Sequence, residues 1–215
     1  MNRVLSILLI AGSFMIGGCR PQPIGDADLL CVEEGAHPFK NAARHWWTDN
    51  TVLSYAYKFG DDVAYDLDGP DQCAYNKLGG ISAALFDNHE NSLMIGWRYD
   101  LAGHLVLAPY YHEDGEAYYA SAQCTGYTAG NANEDPDLEH VTIPPTEQFE
   151  VFWRIVDDQT VNVLVLTSTI NLEYEHTFPG ADFSHWREIA PWFGGPLPAP
   201  HEICLWRYAI SAGDQ

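Results

Sequence analysis

SLMIGWRYDLAGHLVLAPYYHEDGEAYY, residues 92–119, decides the fold. Leu93, Ile95, Trp97 and Tyr99 occupy alternate positions with Met94, Gly96 and Arg98 between them. In an extended chain the first set faces one side and the second set the other. A turn at Asp100–Gly103 follows, then an apolar run Leu105–Tyr111, a second turn at Glu113–Gly115, and a third run from Ala117 to Gln123. Alternating runs separated by short Asp- and Gly-rich turns predict antiparallel hairpins.

The pattern extends through the chain. Thr51–Phe59, Ile81–Phe86, Phe149–Val156, Val161–Thr169 and Ile203–Ile210 are short and rich in β-branched and aromatic residues. Only Ala36–Trp46 and Phe183–Ile189 offer a helical turn or two, so nothing supports βαβ units. The expected fold is all-β: a two-sheet antiparallel β-sandwich with few short helical turns, formed as one domain over residues 28–215. Residues 126–137 are its longest loop.

The N-terminus carries an address. Arg3 precedes an apolar run, Val4–Ile16, that is too short to span a bilayer. Ile16-Gly17-Gly18-Cys19 resembles a bacterial lipobox, so residues 1–18 read as a lipoprotein signal peptide and Cys19 as the lipidated residue. Residues 19–27 then form a tether, stiffened by Pro21 and Pro23. Arg rather than Asp at position 20 implies the outer membrane, with the acylated Cys19 in the lipid bilayer of the cell envelope. The remaining cysteines, Cys31, Cys73, Cys124 and Cys204, suggest two disulfides in an exported chain. First and last strands of a sandwich often pair, which favours Cys31–Cys204 and leaves Cys73–Cys124. The formal charge of −20, with thirty acids against ten bases, argues against nucleic acid as a partner.

Three segments carry a resemblance: NKLGGISAALFDNHENSLMIGWRY (76–99), LVLAPYYHEDGEAYY (105–119) and APWFGGPLPAPHEICLWRY (190–208). In that order they resemble a group of uncharacterised bacterial and phage-associated proteins with a concanavalin A-like lectin/glucanase (jelly-roll) domain. The resemblance implies a concanavalin-like jelly roll. Enzymes on that fold cleave polysaccharides as hydrolases or lyases, and non-catalytic relatives bind glycans.

Each chemistry asks for particular residues. A polysaccharide lyase needs a cation to neutralise a carboxylate, plus an acid and a base. If Ser92–Tyr99 pairs with Leu105–Tyr111, alternation puts Arg98, Tyr110 and His112 on one face, opposite the Leu93/Ile95/Trp97 stripe. The Arg-x-Glu-Leu-Arg and Gln-Ile-His signatures of jelly-roll lyases are absent. A glycoside hydrolase needs paired carboxylates. Glu173 and Glu175 have the spacing and read as edge-strand charges, while Glu113, Asp114 and Glu116 sit on a turn. Glycan binding asks only for exposed aromatics beside polar groups. The leading expectation is therefore a surface lipoprotein that binds a polysaccharide on an open sheet face through Arg98, Tyr110, His112 and Trp192. Lyase, then hydrolase, activity follows, and a structural envelope role without ligand comes last.

Two further features complete the reading. Asp66, Asp68 and Asp71 surround Gly69 as in oxygen-rich calcium loops, which makes Ca²⁺ the one cofactor the sequence raises. Gly69 stands at the fourth rather than the sixth loop position, and a plain acidic turn is the alternative. PWFGGPLPAPH, 191–201, reads as a corner delivering the last strand into the sheet, with Trp192 at its lip.

Overall fold

The computed structural model describes residues 26–42, 50–84, 89–120, 134–135 and 137–210. Its early strands are β1 (Asp28–Val32), β2 (Val52–Phe59), β3 (Asn76–Ser82), β4 (Ser92–Tyr99), β5 (Leu105–Glu113) and β6 (Glu116–Ala120). The later ones are β7 (Glu134–Asp135), β8 (Val141–Ile143), β9 (Phe149–Ile155), β10 (Thr160–Leu166), β11 (Asn171–Thr177), β12 (Arg187–Ile189) and β13 (Ile203–Ala209). They form two sheets, ordered β1-β13-β2-β9-β10-β11 and β12-β3-β4-β5-β6-β7, with β8 also on β5. Every pairing but β6–β7 is antiparallel. This is the all-β sandwich that the alternation predicts.

Period-two patterning explains the layering. Leu53, Tyr55, Tyr57 and Phe59 of β2 and Phe149, Val151 and Trp153 of β9 are buried, as are Leu93, Ile95 and Trp97 of β4. The rings of Phe59 and Trp97 meet across the layers at 4.6 Å. Each such side chain taken out of water contributes about 1.5–3 kcal/mol, and the shared interior is the main stabilising term.

Both long sides of the sandwich are closed by polar contacts. On one, Arg207 of β13 donates through Nη1 to Glu188 Oε1 of β12 at 2.9 Å, and both side chains are buried. Tyr55 donates its hydroxyl to the other oxygen of Glu188 at 3.2 Å. On the other, His176 of β11 stacks on Tyr111 of β5 at 4.1 Å and meets Glu113 Oε2 at 3.3 Å. The Cys31–Cys204 disulfide joins β1 to β13, as expected. Cys73 is disulfide-bonded too; Cys124, its expected partner, lies outside the described residues. So do Cys19, residues 1–25 and most of the 126–137 loop.

Two expectations need correction. Phe183–Ile189 is not helical: Arg187–Ile189 is a strand, antiparallel to Gly80–Ser82. The strand expected from Ile81 starts earlier, at Asn76, and runs through Gly79-Gly80. Glycine is a poor strand former, but a Cβ on Gly80 would lie 2.3 Å from the Leu93 carbonyl, so no other residue fits there. The Asp66, Asp68 and Asp71 turn, the calcium loop that the sequence raises, is ordered by local contacts. Asp66 Oδ1 accepts the Asp68 amide at 2.9 Å, and Asp71 enters a short 3-10 turn, Pro70–Cys73. Among the described residues no three His, Cys, Asp or Glu side chains converge as a metal cluster.

Two predictions follow from this frame. The 173-residue separation bridged by Cys31–Cys204 makes the double substitution Cys31→Ser/Cys204→Ser cost about 2–5 kcal/mol, measured by denaturant unfolding. Burial pushes the Tyr65 phenol from 10.0 up to about 12, against the opposing hydrogen bonds from Tyr99 and Asn76. Its folded value is the higher one, so its contribution is whole below pH about 10 and is lost as pH rises toward about 12. Tyrosinate absorbance and unfolding should therefore rise together in that window; ionisation that clearly precedes unfolding would contradict the burial.

Candidate functional site

The outer face of the β3–β5 sheet gathers the polar residues. A register shift between Lys77 and Gly79 bulges β3. Asn76, opposite Trp97, points into the core, while Lys77, opposite Gly96, points outward. On β5, Tyr110 lies opposite Met94 and His112 opposite Ser92, so both share the outward face with Lys77. Arg98, opposite Val106, belongs to the same face, as the alternation predicts.

That face is not an open sheet. Met94, Arg98 and His112 are buried, and the chain at 190–195 lies along the β3 edge. Lys77 N donates to Trp192 O at 2.8 Å, and Trp192 N returns a bond to Lys77 O at 2.9 Å. Gly194 N donates to Asn76 Oδ1 at 2.8 Å. A Cβ on Gly194 would sit 2.4 Å from the Tyr75 carbonyl, and Gly195 has φ +76°, so this approach requires the glycine pair. Phe193 turns inward against Trp97 and Tyr65. The indole of Trp192 stays 41% exposed and stacks on His37 at 5.6 Å. The segment is thus both a corner and a rim.

Between this strap and the sheet lies a cavity of about 400 Å³ lined by Tyr75, Lys77, His89, Tyr110, Ile189, Ala190, Trp192 and the Gly194-Gly195 backbone. Lys77 Nζ lies 5.6 Å from the centre of the Tyr110 ring. The Tyr110 hydroxyl is 3.2 Å from His112 Nε2, which is itself 3.2 Å from His89 Nδ1. On the far side His112 Nδ1 meets Ser92 Oγ at 3.3 Å. Burial pushes the Tyr110 phenol up to about 12, with Tyr119 adding to the shift, so at neutral pH it carries its proton. The cavity is therefore lined by a cation, a phenol that can donate, and the His89 imidazole, which is linked to a second imidazole, His112, buried behind it.

Arg98 is set apart from this group. It does not line the cavity; Tyr75 does, and the guanidinium lies over the Tyr75 ring at 5.5 Å. Arg98 Nε and Nη1 are buried and find no acceptor among the described residues, while the Tyr75 hydroxyl is hydrogen-bonded with the same guanidinium. Asp100, two residues along the chain, accepts the His104 amide at 2.8 Å, and Glu150 lies on the other sheet.

Of the expected site residues, Tyr110 and Trp192 line the cavity, His112 is buried behind Tyr110 and His89, and Arg98 stands behind Tyr75. Glu173 and Glu175 are exposed on the edge strand β11, where Glu173 accepts a bond from Asn162 at 3.0 Å. Among the described residues lining the cavity there is no carboxylate, so they supply no acid pair for glycoside hydrolysis. Trp186 is core: its Nε1 donates to Asn50 O at 2.6 Å. Lys77, His89 and Tyr75 were missed by sequence reasoning. Lys77 had a signal, as a lysine within a strand-forming stretch of a chain with ten bases and thirty acids.

No protein-family model and no curated protein matches the sequence. Among solved structures, the chain is similar to an alginate lyase from Chlorella virus at 9% identity and TM-score 0.45, over 89% of this chain and 87% of that one. It is also similar to Scytalido-glutamic peptidase bound to a peptide-based transition-state analog, at 11% identity and TM-score 0.36, over 88% and 69% of the two chains. A protein of unknown function from Shewanella oneidensis MR-1 is similar at 9% identity and TM-score 0.35, over 91% and 92%. The chemistry is accordingly read from the chain's own side chains.

The strap separates two roles that the sequence merges. Trp192→Ala keeps the backbone pair with Lys77, so its melting temperature should stay within a few degrees of wild type. Gly194→Ala drives a methyl into the Tyr75 carbonyl and should melt well below it. Equal destabilisation by both substitutions, read by calorimetry, would contradict this division.

Proposed function

We propose that this protein is exported and anchored through Cys19, binds a uronate-containing polysaccharide in the cavity and cleaves it by β-elimination. One observation carries the reading: the Lys77 ammonium and the Tyr110–His112–His89 chain converge on a single cavity. The −20 net charge makes a local cation an expected requirement for any acidic ligand.

The chemistry balances within those groups. Lys77 pairs with the uronate carboxylate and makes the adjacent C–H more acidic. His89, as a neutral imidazole, takes that proton. The freed electron pair forms the new carbon–carbon double bond as the neighbouring C–O glycosidic bond breaks. Tyr110 donates its proton to the departing oxygen. The proton held at His89 passes through His112 Nε2 back to Tyr110, which resets the site without an added reactant. Trp192, exposed at the rim, offers a ring face on which a flanking sugar stacks.

Incubation with polyuronates, monitored by the absorbance of the unsaturated product, tests this. Tyr110→Phe and His112→Gln should lower kcat by about 10²–10⁴-fold with the fold retained. Lys77→Met should lower kcat/KM and abolish discrimination in favour of acidic over neutral glycans. A second reading, binding without cleavage, is favoured by the exposed Trp192 ring. Polyuronate binding with no unsaturated product would select it; neither binding nor product would reject both.

A further inference from the structure

The buried pair behind the cavity points to the spacing of charge on the ligand. Arg98 is 2% exposed, and its Nε and Nη1 have no acceptor among the described residues. The Tyr75 hydroxyl beside it is hydrogen-bonded with this guanidinium. The remaining donors of a buried permanent cation, next to a phenol, are satisfied together by an oxyanion. Tyr75 borders the cavity directly, so such an anion would arrive from the space already assigned to the sugar. Gly96 makes this arrangement feasible. A Cβ there would lie 3.0 Å from the Tyr75 side chain, so glycine lets the ring rest closely over β4 between Arg98 and the cavity. Tyr75 and Lys77 are two residues apart, about 6–7 Å along an extended chain, a spacing comparable to one sugar unit.

We propose that Arg98 and Tyr75 form a second oxyanion subsite next to Lys77, so the ligand carries carboxylates on adjacent sugar units rather than alternating acidic and neutral ones. The Tyr75 ring rotates off Gly96 to admit the second carboxylate, which accepts hydrogen bonds from Arg98 and from the phenol. This rests on the uronate-binding reading of the cavity.

The test uses the full chain carrying Tyr110→Phe, to suppress turnover, and three probes: a monouronide methyl glycoside, the matching di-uronide, and a disaccharide with one acidic and one neutral unit. Calorimetry should show the di-uronide binding about tenfold or more tighter than the monouronide, and the acidic–neutral disaccharide gaining no comparable amount. Adding Arg98→Lys should erase that gain while monouronide affinity stays unchanged, and Tyr75→Phe should reduce it. Equal affinity for the two disaccharides would overturn the second subsite and leave the Lys77 site standing. Failure of every uronide to bind would overturn the cavity reading itself and this inference with it.

Discussion

Lys77 and Trp192 exchange both of their backbone hydrogen bonds, and the candidate site depends on that exchange. Without it β3 would end in a free edge beyond β12, and the outward face of the sheet would be open to water. With it, the Pro191–Gly195 segment becomes a wall, Phe193 is committed to the core, and Trp192 is held at the rim. The bulge at Lys77/Gly79 is the complementary half. It turns Leu78 inward, where it is buried, and leaves Lys77 outward, where its ammonium approaches Tyr110. An edge covered in this way is also protected from pairing with another chain.

The rest of the fold holds this arrangement rigid. The Glu188–Arg207 pair spans the two sheets beside β12, the strand that continues into the strap. Buried ion pairs add little net stability, but losing one partner leaves an uncompensated charge and costs about 3–5 kcal/mol. The pair therefore specifies where β12 docks more than it strengthens the docking. Asn76 does similar work inside the core, donating to the Tyr65 hydroxyl at 2.9 Å while accepting from Gly194 N. A single amide thus ties the strap, the bulged strand and the aromatic interior together.

Arg98 Nε and Nη1, buried behind the cavity, lack an acceptor among the described residues. A buried donor without an acceptor costs about 1–3 kcal/mol, and more when it is charged. Unrelieved cost of this kind concentrates where a ligand supplies the missing partner.

The alternation of apolar side chains by itself determined the layers. Leu93/Ile95/Trp97 and Phe149/Val151/Trp153 could be hidden from water only as inner faces of two stacked sheets, and period-two geometry left no other choice. It also determined that Arg98, Tyr110 and His112 share a face, because paired antiparallel strands keep opposite residues on the same side. The Cys31–Cys204 bond was readable from their positions near the chain ends. Tertiary structure alone decided whether that face was open or enclosed. This depended on contacts between residues more than a hundred positions apart, Lys77 with Trp192 and Asn76 with Gly194, which no local pattern encodes. The same holds for Lys77 itself. A one-residue bulge reverses the side to which a strand residue points, and only the register of the assembled sheet reveals it.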